Sequence, residues 1–344
     1  MFLRFPLPTG QKVYWSDRAT HDISRADLDG SNVEVVISLP GSEPYGVAVD
    51  GPGQKVYWTG VSQSVIQRAN LDGSGLETLV TFLGGEGWSY SLDLDLSAGK
   101  MYWTVLGSTE VRLQRANLDG TNVEVLYGFD GLITGLGIAV EPSLGKVYFA
   151  ANGIPNITRL SQANLNGTGV ITLISNPQVS IPEGIVVDST AGWLYWAERG
   201  ASAPPGVKRS QLNGTGITTL VAGAPARALA LDRAGGKMYW VAGDPGTMMR
   251  RADLNGSNAE TVIPVIGNSR GMALCFAKYG DVAPPGNGLI DVDDLLYTLD
   301  GFSDPAGHRG LDMFPCGGNG IVDVDDLLAV VHAFEGNFAC PDPC

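Results

Sequence analysis

An aromatic doublet recurs six times along the chain, and no other feature constrains the fold as tightly. Lys12-Val13-Tyr14-Trp15 returns as Lys55-Val56-Tyr57-Trp58, Lys100-Met101-Tyr102-Trp103, Lys146-Val147-Tyr148-Phe149, Trp193-Leu194-Tyr195-Trp196 and Lys237-Met238-Tyr239-Trp240. Successive tyrosines are 43 to 47 residues apart. Near-equal intervals of this length mean six equal structural units, the pattern of a propeller or a helical array.

The units read as sheets. Seven residues before each tyrosine from the second copy on stands an acid: Asp50, Asp95, Glu141, Asp188 and Asp232. Short apolar runs precede these acids, such as Gly46-Val47-Ala48-Val49, and fit strands buried on both faces. Downstream of each tyrosine lies an Asx-Gly pair: Asp29-Gly30, Asp72-Gly73, Asp119-Gly120, Asn166-Gly167, Asn213-Gly214 and Asn255-Gly256. Asx-Gly tolerates positive φ and is a strong hairpin signal. A last β-rich run, such as Val33-Glu34-Val35-Val36, completes four strands per unit. Six four-stranded sheets around an axis make an all-β six-bladed β-propeller.

The first unit lacks an inner strand before Tyr14, because Pro6 and Pro8 fall where it would run and proline cannot donate to a ladder. Gly271-Met272-Ala273-Leu274-Cys275-Phe276 is in phase with the other inner strands. It is expected to pair beside residues 12–16, closing the ring and removing its open edges. Tyr and Trp occupy adjacent strand positions, so they face opposite sides of their sheet and fill the wedges between blades. Arg25, Arg68, Arg115, Arg159, Arg209 and Arg251 recur in the third strands and are expected to reach neighbouring acids or carbonyls.

Charge divides the chain near residue 277. Residues 1–277 hold 24 acids and 20 bases, whereas 278–344 hold 12 acids and 2 bases. The acidic balance disfavours nucleic acid and anionic membrane as partners, and no apolar run is long enough to span a bilayer. No apolar core of signal-peptide length stands in residues 1–8.

Lys12-Val13-Tyr14-Trp15-Ser16-Asp17, followed by Arg25-Ala26-Asp27-Leu28-Asp29-Gly30-Ser31-Asn32 and then by Gly46-Val47-Ala48-Val49-Asp50, resembles the low-density-lipoprotein-receptor class B (YWTD) repeat. The likeness runs over residues 11–276. It implies an extracellular six-bladed propeller that binds proteins rather than catalysing a reaction. Only Asp17 keeps the aspartate of the motif's fourth position; Gly60, Val105, Ala151, Glu198 and Ala242 replace it. These departures suggest a distant, bacterial relative.

In such a fold the loops entering the inner strands surround one mouth of the axial channel. Counting five residues back from each acid, and from Cys275 at the sixth acid position, yields Tyr45, Tyr90, Leu136, Glu183, Arg227 and Arg270, with Trp88 just upstream of Tyr90. Tyr, Trp and Arg dominate interface hot spots, so this ring is the expected ligand-binding face. Six-bladed propellers also serve as lactonases and related hydrolases, which need oxygen ligands around a channel cation. Here Glu183 is the one carboxylate of the ring, beside two arginines, and none of His21, His308 and His332 falls near the mouth. A non-enzymatic role is expected, with a hydrolase or a structural cell-surface spacer as the alternatives. Sequons at Asn166, Asn213 and Asn255 coincide with hairpin turns and read as turn chemistry; a fourth lies at Asn156.

Residues 278–344 contain a different duplication. Gly286-Asn287-Gly288-Leu289-Ile290-Asp291-Val292-Asp293-Asp294 returns 32 residues later as Gly318-Asn319-Gly320-Ile321-Val322-Asp323-Val324-Asp325-Asp326, each copy leading into apolar residues at helical spacing. With Gly288 and Gly320 at the sixth position of a calcium loop, Asn287, Asp291 and Asp294, and likewise Asn319, Asp323 and Asp326, take the fifth, ninth and twelfth. The first and third positions lack acids; Asp281 and Asp312 stand nearby, out of register. This loop-helix pair resembles the α-helical dockerin domain, which implies Ca2+ binding and attachment to a cohesin-like partner. Cys316, Cys340 and Cys344 cluster here, with Cys275 apart in the last propeller strand. A bridge from Cys316 to Cys340 or Cys344 would staple a module with little core.

Overall fold

The computed structural model describes residues 11–82, 87–107, 110–130, 133–134, 137–153, 157–200, 204–243 and 247–276. The duplicated segment, with Asp281, Asn287, Asp291, Asp294, Asp312, Asn319, Asp323, Asp326 and the cysteines of the tail, lies outside the described residues. So do Leu136, Asn156 and the prolines Pro6 and Pro8.

Lys12–Cys275 forms a compact unit of six antiparallel sheets, an all-β six-bladed propeller with no α-helix among the described residues. From the inner strand outward, blade 2 runs Pro44–Asp50, Lys55–Gly60, Val65–Asn70 and Glu77–Thr81. Blades 3, 5 and 6 repeat this order from inner strands Trp88–Asp95, Pro182–Asp188 and Ala226–Asp232. Blade 4 has its inner edge in two pieces, Ile133–Thr134 and Ile138–Glu141, both paired with Lys146–Gly153. Blade 1 is completed from the far end of the unit. Ser269–Cys275 pairs antiparallel with Lys12–Asp17, setting Cys275 opposite Lys12 and Ala273 opposite Tyr14. Cys275 is buried and disulfide-bonded.

Alternation along the second strand sends the two aromatics of each doublet into different wedges. Tyr57 of blade 2 shares a core cluster with Trp103 of blade 3, Tyr102 with Phe149, Tyr148 with Trp196, and Tyr195 with Trp240. All are at most 2% exposed, and each contributes roughly 1.5–3 kcal/mol by burial. A second set of contacts runs between blades at the opposite end of the ring from the inner-strand entrances. The guanidinium Nη1 of Arg25, Arg68, Arg115, Arg209 and Arg251 donates to the carbonyls of Leu71, Leu118, Leu165, Leu254 and Leu28, each in the following blade, at 3.0–3.2 Å. Strand register corrects the series at blade 4. Gln162, not Arg159, stands opposite Tyr148, and Arg159 pairs three residues further along, opposite Ala151.

The Asx-Gly turns serve the same junctions. Asp29, Asp72, Asp119, Asn166, Asn213 and Asn255 each accept the amide two residues on through Oδ1, at 2.8–3.1 Å. The glycines that follow have φ between 82° and 90°. A Cβ there would lie 2.2–2.5 Å from a carbonyl oxygen of the preceding blade's outer strand. Glycine is therefore required twice over, by dihedral and by space. At the sequons of Asn166, Asn213 and Asn255 the asparagine Oδ1 makes this turn. The acids at the ends of the inner strands cap the next turn, as when Asp50 accepts Gly53 N–H at 2.8 Å and Asp232 accepts Gly235 N–H at 2.7 Å.

Candidate functional site

The inner strands approach one another most closely where each enters its blade. Gly46, Gly137, Gly184 and Gly271 follow the ring positions, and a Cβ on any of them would lie 2.0–3.0 Å from the carbonyl oxygen of the next blade's ring residue: Tyr90, Glu183, Arg227 and Tyr45. The bare backbone thus draws consecutive ring residues together. Ser16 reinforces this between blades 1 and 2, its Oγ donating to the Tyr45 carbonyl at 2.6 Å and accepting Gly271 N–H at 2.9 Å.

The two acids at the motif's fourth position order the entrance loops. Asp17 Oδ1 accepts the amides of Ala19 at 2.8 Å and Asn268 at 3.1 Å. Glu198 does the corresponding work in blade 5, accepting Ser180 N–H at 3.0 Å and Ile181 N–H at 2.6 Å. Its other oxygen takes Trp196 Nε1–H at 3.2 Å and faces Lys208 Nζ at 3.5 Å, a pair 0% and 4% exposed. Glutamate can therefore stand in for the repeat motif's aspartate at this position.

A cavity of about 520 Å³ opens at this end, lined in part by Arg18, Glu43, Tyr45, Tyr90, Arg199 and Arg270. Tyr45 and Tyr90 meet edge to face, with centroids 4.8 Å apart. The guanidinium carbons of Arg18 and Arg270 lie 5.6 and 6.0 Å from the Tyr45 centroid, within cation–π range. Burial, with a further push from Glu183, raises the Tyr45 phenol well above its usual pKa, so it remains a neutral hydroxyl. Arg227 Nη1 reaches both oxygens of Glu183, at 3.0 and 2.9 Å, and the Arg227 side chain is 1% exposed. Arg199 Nη1 meets the same carboxylate at 3.0 Å, and Arg18 pairs with Glu43.

Tyr45, Tyr90 and Arg270 from the expected ring line the cavity, while Glu183 and Arg227 form a buried pair tied to it through Arg199. Trp88 starts the inner strand of blade 3, opposite Leu106. Counting along the inner strands missed Arg18, Glu43 and Arg199. Arg18 and Arg199 directly follow the fourth motif position, where second strands end at the same mouth, and that shared offset is the signal that could have found them. Among the described residues no cluster of three or more His, Cys, Asp or Glu could hold a metal ion.

Comparisons with known proteins agree on the fold. The family profile of low-density lipoprotein receptor repeat class B matches residues 11–50. Comparison of the sequence with curated proteins returns no significant match. A chain from a nidogen/laminin complex superposes with a TM-score of 0.69 at 20% identity, covering 78% of this chain and 100% of that one. TolB from Acinetobacter baumannii superposes with a TM-score of 0.63 at 14% identity, over 78% of this chain and 67% of its own. A gluconolactonase from Xanthomonas campestris superposes with a TM-score of 0.52 at 18% identity, over 69% of this chain and 84% of its own. At these identities the likeness establishes a six-bladed propeller bearing a YWTD-type repeat.

Proposed function

We propose that the chain is a non-enzymatic extracellular recognition protein whose propeller mouth binds a protein or glycan. A dockerin-like C-terminal module, dependent on Ca2+, attaches it to a cohesin-like partner. The mouth carries this reading. Its cavity is walled by two tyrosines and three arginines, the residue types that dominate recognition surfaces. Glu183, the ring's one carboxylate, is held between Arg199 and Arg227. A carboxylate so neutralised is a poor cation ligand, which weighs against the metal-dependent hydrolase that the gluconolactonase fold would otherwise suggest. Extracellular placement is supported by the YWTD-type repeat, and the attachment role rests on the duplicated sequence around Asp291 and Asp323.

The test compares wild-type chain with a Tyr90→Ala, Arg199→Ala double variant as bait in the same culture medium. The proposal expects partners captured by the wild type and lost by the variant, with both proteins showing the same circular dichroism. Equal capture by both would remove the mouth from recognition. Turnover of a lactone panel by the wild type would replace binding with catalysis.

A further inference from the structure

Among the described residues that line the cavity or pair with its lining, charge is unbalanced: four guanidinium groups, Arg18, Arg199, Arg227 and Arg270, gather around two carboxylates, Glu43 and Glu183. Arg18 takes Glu43, and Arg199 and Arg227 share Glu183. Among the described residues Arg270 meets no carboxylate, and its Nε and Nη1 are buried without a hydrogen-bond acceptor. Its place is nevertheless well determined. Gly271 anchors the adjacent backbone to Ser16, and the guanidinium rests over Tyr45 in the wall of the cavity. A guanidinium that loses water without gaining an acceptor is costly. An anion brought into the cavity would restore the missing countercharge.

Building on the recognition role proposed above, we infer that the mouth is a carboxylate receptor. Arg270 provides its anchoring charge, and the ligand group is an acidic side chain projected by a protein partner. The walls favour a side chain over a sugar acid. Stacking a sugar needs an open aromatic face, but Tyr45 is already approached by Arg18 and Arg270 and by the ring of Tyr90. A carboxylate on a short aliphatic stem needs only a cation at the tip and apolar contact along the stem. Arginine matches such a group geometrically as well as electrically.

The test titrates the full chain with three probes, N-acetyl-aspartate methylamide, its asparagine counterpart and glucuronate, while chemical shifts of mouth residues are followed by NMR. The inference expects saturable shifts with the aspartate probe, weaker at high salt. It expects at least tenfold weaker binding of the asparagine probe, and at least tenfold loss of aspartate binding in Arg270→Gln. That variant should fold as well as wild type, because it removes an uncompensated charge, and circular dichroism checks this. Binding of glucuronate without the aspartate probe would transfer the site to acidic glycans and overturn the inference. Aspartate binding unchanged by Arg270→Gln, or no binding at all, would overturn it too. Partner capture that survives Arg270→Gln but fails in the Tyr90→Ala, Arg199→Ala variant would sink the carboxylate inference and leave the recognition role standing.

Discussion

Asp93 is the acid out of place in the inner ring of strands. Its register partner is Tyr102. The residues opposite the other five tyrosines are Ala48, Ala139, Val186, Ala230 and Ala273. Asp93 Oδ2 accepts Val140 N–H of blade 4 at 2.7 Å, and Oδ1 accepts Leu94 N–H at 2.8 Å. Those bonds favour the carboxylate, but burial outweighs them and pushes its pKa from 3.8 up to about 6. A pKa unit is worth about 1.4 kcal/mol, so keeping Asp93 ionised at neutral pH costs the fold up to about 3 kcal/mol. This is an upper figure, because the side chain keeps some exposure.

The sign follows from proton binding. Folded Asp93 holds its proton to higher pH than the unfolded chain does, so its contribution weakens as pH rises from about 4 to about 6. Asp93→Asn removes that dependence. The assay is urea unfolding of wild type and variant at half-unit steps from pH 4 to pH 7.5. The stability difference isolates Asp93 from the carboxylates of opposite sign, such as Asp27, which Lys12 holds below its usual pKa. Relative to wild type, the variant should gain stability steadily between pH 4 and pH 6 and level off above that. A difference that stays flat over the whole range would refute the reasoning.

Three further outcomes follow from the junctions and the tail. Gln162→Arg should add an inter-blade donor toward the Leu212 carbonyl and stabilise the propeller by about 1 kcal/mol, read by thermal melting; an unchanged or lowered midpoint would show that blade 4 cannot seat the group. Lys208→Ala leaves Glu198 buried beside Trp196 and should cost about 3–5 kcal/mol, whereas Lys208→Met with Glu198→Gln should cost much less, and equal losses in urea titrations would contradict the pairing. Calcium should raise the helicity of the full chain through the duplicated segment; circular dichroism unmoved by calcium and by chelator alike would count against that site.

Features that repeat locally were open to sequence reasoning. The Tyr-Trp doublet and the Asx-Gly turns each need only their own few residues, so their spacing announced both the blade count and the hairpins. Features that depend on register were not. Arg159 lies near enough to Gln162 to pass for a member of the arginine series, and only the pairing of Tyr148 with Gln162 separates them. The mouth was legible in half. Tyr45, Tyr90 and Arg270 follow from counting along inner strands; Arg18 and Arg199 share an offset one residue past the fourth motif position that inner-strand counting does not reach, and Glu43 arrives from a loop. The burial of Asp93 depends on the inner strand of the neighbouring blade, and the way Glu198 stands in for an aspartate depends on the entrance loop at Ser180 and Ile181; a one-dimensional pattern carries neither.

Site-specific photo-crosslinking tests the central claim most directly, because it asks which end of the propeller meets its ligand. A benzophenone side chain would be placed at Ser62, on the cavity wall, and in a second protein at Asp119, in an exposed Asx-Gly turn at the opposite end of its blade. Crosslinks to a captured partner should form from position 62 and not from position 119. Equal yields from both positions, or crosslinks from 119 alone, would contradict recognition at the mouth.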